Sequence, residues 1–186
     1  MAAMLAALLI AAAISGCGAV HPPGQGHPSL APSTAPAVHN ADDVAFARDM
    51  VPHHQQAVEM AAMVPTHTAT QNMHVIAANI AADQRAEIES LNDLLAQWGT
   101  PGAGGMTDMN GMVDQATMTR LQSLDGSDFD QLWLTAMISH HRGAVTMARA
   151  ELAHGQNPDA IHMATLIITA QEREIAYMTH LLSRAE

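Results

Sequence analysis

From Asp42 onward, apolar residues recur every three or four positions with polar residues between them, the period of helices buried along one side. The pattern predicts a first helix from Asp42 or Asp43, both suited to N-capping, to about Met63, with a turn at Pro65-Thr66. A second helical pattern runs from about Thr68 to Trp98, and the Gly-rich, Met-bearing stretch from Gly99 to Gly111 reads as a loop. A short helix is expected over Asp114 to Leu124, stopped by Asp125-Gly126. Ser127 or Asp128 then caps a third long helix that Gly155 closes after His154. Asn157-Pro158, an N-cap followed by proline at the first helical position, opens a last helix continuing nearly to Glu186.

The two long helical stretches repeat. When His53 is laid on His140 the halves superimpose without a gap. Met50, His54, Ala57, Val58, Met60 and Ala61 then fall on Met137, His141, Ala144, Val145, Met147 and Ala148, and His67 falls on His154. The second helices keep register too, with Gln84, Glu87 and Ile88 on Gln171, Glu174 and Ile175. Two hairpins with short internal turns and one longer connection predict an all-α four-helix bundle with approximate two-fold symmetry. The repeats span about 42–98 and 128–186 of a domain covering 42–186, with a short extra helix in the central connection.

The chain ahead of the domain has a different character. Met1 to Ala13 is an almost unbroken apolar run, too short for an ordinary membrane helix and matching the core of a secretory signal. Ile14-Ser15-Gly16-Cys17 resembles a bacterial lipobox, so residues 1–17 are expected to form a lipoprotein signal ending at a lipidated Cys17. No Lys or Arg precedes the run, a departure from the usual pattern. Residues 18–41 are rich in Pro, Gly, Ser and His without helical period and read as a flexible tether. The expected location is therefore outside the cytoplasm, on the outer face of a bacterial membrane.

Composition narrows the chemistry. Aromatic residues make up 3% of the 186, and the apolar surface comes mostly from Ala, Leu and Met, which favours helices over strands. The formal charge of −11 argues against nucleic acid as a partner, because phosphate backbones need a basic footprint. Cys17 is the single cysteine, which rules out an intramolecular disulfide.

The repeated Met-x-x-His-His-x-x-Ala-x-x-Met motif carries the candidate site. On a helix advancing about 100° per residue, Phe46, Met50, His53, His54, Ala57 and Met60 share an arc of roughly 120°. Trp133, Met137, His140, His141, Ala144 and Met147 do the same in the second half. The histidine pairs thus lie within the apolar stripe, where an imidazole costs free energy unless its nitrogens find partners. One outcome is hydrogen-bonded core histidines among packing methionines, in a structural or protein-interaction lipoprotein. The other is a metal site, to which imidazole and thioether donors would draw Cu(I) and, by analogy, Ag(I). The candidate ligands are Met50, His53, His54, Met60, Met137, His140, His141 and Met147, with Met63, His67, His154, His162 and Met163 as a secondary set. Met106, Met109, Met112 and Met118 around the central loop are a further, looser methionine group.

Gln84, Glu87, Gln171 and Glu174 are candidates for orienting the histidines, or else solvent-facing helix residues. A di-iron or copper oxidase is the rival enzyme class. Glu151-x-x-His154 has the di-iron spacing, but its counterpart in the first half is Val64-x-x-His67, so the motif is not duplicated. No Gly-rich phosphate loop, serine elbow or cysteine nucleophile is present in the domain.

These residues resemble the bacterial family catalogued as domain of unknown function 305, a ferritin-like helical-bundle family. The likeness rests on Phe46, Met50, His53, His54, Ala57, Met60 and Ala61, on Phe129, Met137, His140, His141, Gly143, Ala144, Met147 and Ala148, and on Gln171, Glu174 and Ile175. It covers about Asp42 to Glu186. The resemblance implies a ferritin-like bundle that binds copper or silver outside the cytoplasm through the two Met-His-His motifs. The expected protein is a metal-binding lipoprotein and not an enzyme. Its expected partners are the metal ion and the membrane, with another copper-handling protein and a second copy of the chain as further candidates.

Overall fold

The computed structural model of the protein describes residues 38–100, 102 and 110–184, which form five helices and no strand. Cys17, the expected signal and most of the expected tether lie outside the described residues, as do Met106 and Met109. Helices α1 (Ala41–His67) and α2 (Gln71–Gln97) make one hairpin, and α4 (Gly126–His154) and α5 (Pro158–Leu182) the other, with α3 (Gln115–Gln122) in the connection. Among the described residues no helix is long and apolar enough to cross a membrane.

Several helix ends differ from the sequence expectation. Helix α1 is capped by Asn40, whose side chain accepts from the Asp42 and Asp43 amides while the Asp43 carboxylate accepts from the Asn40 amide. Asp43 is therefore the third residue of a reciprocal capping box and not the N-cap. The helix also runs through Pro65 to His67, where the Thr68 amide closes it on Val64. A proline withholds only its own N–H, and this one lies on the exposed side. Helix α4 starts at Gly126 with Asp125 as its N-cap, so neither Ser127 nor Asp128 has that role. The Asp125 carboxylate lies 3.1 Å from His67 Nδ1 instead of capping the helix. Helix α5 opens at Asn157-Pro158 as expected and ends at Leu182.

Helices α1 and α4 run antiparallel across the centre. Asn40 at the start of α1 donates to the His154 carbonyl at the end of α4, and Trp133 near the start of α4 donates to Met60 O on α1 at 2.8 Å. Two apolar clusters fill the bundle. One joins the C-terminal half of α1 to the N-terminal half of α4 around Met60, Phe129, Trp133 and Met137. The other joins the opposite halves around Phe46, Met50, Ala144, Ala148 and Met163. The four paired histidines belong to neither cluster and occupy the middle of the bundle, between the two.

A buried histidine layer as the candidate metal centre

His53, His54, His140 and His141 are each fully buried. The reason lies in the two central helices. The His pairs sit in the core-facing stripes of α1 and α4, and Ala57 and Ala144, one turn on, are small enough for the helices to approach. His53 and His140 meet across this interface with ring centroids 3.8 Å apart. His54 and His141 stand beside them, their centroids 6.4 and 6.2 Å from those of His53 and His140.

The outer pair is held by the outer helices. His54 Nε2 is 2.8 Å from Glu87 Oε2 on α2, and His141 Nε2 is 2.8 Å from Glu174 Oε2 on α5. A carboxylate only accepts, so each ring donates from Nε2, which in a neutral imidazole leaves the lone pair on Nδ1. His53 Nε2 likewise donates to the Asn110 carbonyl at 3.1 Å. Among the described residues, Nδ1 of all four histidines is buried without a hydrogen-bond partner, and so is Nε2 of His140. Burial, followed by the neighbouring His54, pushes the His53 pKa down to about 3. Burial and then His53 hold His140 well below the ordinary histidine value. Both are neutral at pH 7, the form in which imidazole is a ligand.

Of the methionines, Met50 and Met137 lie one turn before the His pairs and are fully buried, as is Met60. Met147 is half-buried and, with His154, Asp42, Asp49 and Glu151, lines a cavity of about 160 Å³ between the start of α1 and the end of α4. The secondary candidates are scattered. His67 stacks on Phe129 and donates to the Leu124 carbonyl, His162 is exposed, Met63 packs at the edge of one apolar cluster, and Met163 is buried in the other. Met118, grouped by sequence with the methionines around the central loop, lies on α3, within the short helix expected there, and is buried in the core. Glu151 and His154 lie at the C-terminal end of α4, roughly three turns from the histidine layer.

Gln84 and Gln171 are buried, but their side-chain amides make no hydrogen bond among the described residues. Nor do three or more His, Cys, Asp or Glu side chains among those residues form a ready-made metal cage. Gln56 on α1 is a further polar residue of the site that no motif in the sequence marks. It is buried and bonds both ways to the Val113 backbone, Nε2 to O and Oε1 to N at 2.8 Å each. No spacing rule singles it out, because its partner lies 57 residues away in the central connection.

A two-hairpin bundle with a buried layer of paired, carboxylate-oriented histidines defines the class. The chain belongs to the domain of unknown function 305 (DUF305) family, whose pattern it matches over residues 43–182. Its fold is similar to a DUF305 protein from Streptomyces coelicolor, inferred to be secreted, with 32% identity, TM-score 0.73, and coverage of 77% of this chain and 93% of that one. A DUF305 fragment from Deinococcus radiodurans is 28% identical at TM-score 0.74, covering 81% and 99%. CopM in its Cu(I)-bound form is 27% identical at TM-score 0.68, covering 76% and 96%, and CopM is also known in Cu(II)- and silver-bound forms. A comparison with curated protein sequences found no match.

Proposed function

We propose that this protein binds Cu(I), and Ag(I) as its chemical analogue, outside the cytoplasm, and sequesters or hands on the ion without catalysing a reaction. The observation that supports this most is the set of four buried Nδ1 atoms without hydrogen-bond partners, two of them on rings already in contact. A purely structural layer would be expected to satisfy these nitrogens, since each orphan costs about 1–3 kcal/mol. His53 and His140 would supply nitrogen, and Met50 and Met137, one turn away, soft sulfur, a donor set suited to Cu(I). The similarity to CopM, which binds copper and silver, supports the same ion. Lipidation at Cys17 would hold the domain at the outer face of a membrane, where thioether ligands escape disulfide formation.

A second reading has its own observation. The paired His54–Glu87 and His141–Glu174 contacts are what a polar layer fixing helix register would contain. Anaerobic Cu(I) titration against a competing chelator separates the two. Tight binding that disappears in a folded His53→Ala/His54→Ala/His140→Ala/His141→Ala variant is the expected result. Failure of the folded wild-type protein to compete would return the histidines to a structural role.

A further inference from the structure

The histidine layer is enclosed unequally. On the flanks, α2 and α5 present Glu87 and Glu174 to His54 and His141. Over the groove between α1 and α4, at the level of His53 and His140, runs a short non-helical strap, Asn110 to Val113, that begins in a turn at Asn110-Gly111. On the α1 side it is fastened by the two Gln56–Val113 bonds and by the bond from His53 Nε2 to the Asn110 carbonyl. On the α4 side it lies directly on the helix backbone. A Cβ on Gly143 would stand 2.0 Å from Asn110 O, and one on Gly111 would stand 2.8 Å from Gly143 Cα and 2.9 Å from Ser139 O. Gly111 also has φ +83°, which a side chain would strain. Gly143 is the pseudo-symmetry counterpart of Gln56, so the two equivalent positions have become a notch and a clasp for one segment.

We infer that the Asn110–Val113 strap is the gate to the histidine layer, lifted to let a soft monovalent ion reach His53 and His140. The inference rests on reading these histidines as ligands. The strap has the properties a gate needs. It is held by a few polar bonds, by backbone contact and by the half-buried Val113 at the edge of one apolar cluster, so it can open while the buried residues of both clusters stay packed. Its Asn110 carbonyl occupies the proton of a candidate ligand while closed. Gln56 is outside the proposed ligand set, so its removal loosens the gate without removing a donor.

The test uses the full chain carrying Gln56→Ala or, separately, Gly143→Ala, each checked for native helix content. In the metal-free protein, diethyl pyrocarbonate modification of His53 and His140 is mapped by mass spectrometry. Loss of two hydrogen bonds should raise that rate about tenfold in Gln56→Ala. Stopped-flow loading from a Cu(I)–chelator complex should accelerate in parallel, with equilibrium affinity changed much less. Unchanged modification in both folded variants, or faster modification with unchanged loading, overturns the gate. A wild-type protein that takes up no Cu(I) overturns the ligand reading instead, and the modification rates still report whether the strap is the cover.

Discussion

His53 and His140 face each other at 3.8 Å between ring centroids, across the antiparallel contact of α1 and α4 and close to the pseudo-two-fold axis. Each is the first member of a His-His pair, and each second member, His54 or His141, turns outward to a glutamate on the neighbouring helix of its own hairpin. The layer therefore combines an inner pair, neutral and in ring contact, with an outer pair whose Nε2 donors are held by carboxylates.

That division predicts distinct effects of the two glutamates. Glu87→Gln or Glu174→Gln leaves a side chain of the same shape, which can donate as well as accept and so no longer enforces the Nε2–H tautomer. Cu(I) affinity should fall by roughly 10- to 100-fold for each variant, the usual loss for such orienting partners. Competitive chelator titration checks this, and unchanged affinity in both variants would remove the glutamates from the site.

The methionines can be tested apart from packing. Met50 and Met137 are fully buried, so substitution with alanine would confuse lost sulfur with an empty cavity. Leucine conserves volume, and Met50→Leu/Met137→Leu should cost no more than about 1.5 kcal/mol per site. If the thioethers are ligands, Cu(I) affinity drops while the melting temperature stays nearly constant. Equal affinity in the leucine protein would assign these residues to the core alone.

Much of this was legible beforehand, and the reasons divide by interaction range. The repeat with His53 on His140 predicted two hairpins because helix periodicity and register are local properties, and the structure contains those hairpins. The burial of the His pairs followed from their place in the Met50–Met60 and Met137–Met147 stripes. Helix ends were less legible, because Asn40 competes with Asp42 and Asp43 through side-chain geometry that composition does not show. The role of Gln56 was not legible, since its bonds reach Val113 through the fold rather than along a helix.

The inner histidines predict acid sensitivity of the metal-free protein. His53 in the folded chain titrates near 3 and His140 well below its ordinary value, whereas both take up protons near pH 6.5 when unfolded. The unfolded state then binds more protons below pH 6.5, and stability falls as pH drops. The slope is about 1.4 kcal/mol per pH unit for each histidine. Glu151, whose pKa is raised, titrates with the opposite sign over this range, so chemical denaturation between about pH 6.5 and 4.5 should show this slope in a Glu151→Gln background. It should flatten in a folded His53→Leu/His140→Leu variant, and persistence of the full slope would place the acid sensitivity elsewhere.

Glu151 predicts the opposite dependence at the other end of α4. It is 1% exposed, packed against Gly155 and beside the Asp43 carboxylate. Burial first, then Asp43, pushes its pKa up to about 8. Against burial, the backbone N–H groups of Asn157, Asn40 and Gln156 hold Asp43 below the usual range, so it stays charged and leaves Glu151 as the neutral member. The folded protein keeps the Glu151 proton that the unfolded chain releases above about pH 4.5. Stability from this group is therefore full below pH 4.5, declines between about 4.5 and 8, and is lost above that. Glu151→Gln, neutral at every pH, should remove this decline and raise the melting temperature at pH 8 relative to wild type, with little difference at pH 5. A variant that melts in parallel with wild type from pH 5 to 8 would show that folding does not raise the Glu151 pKa.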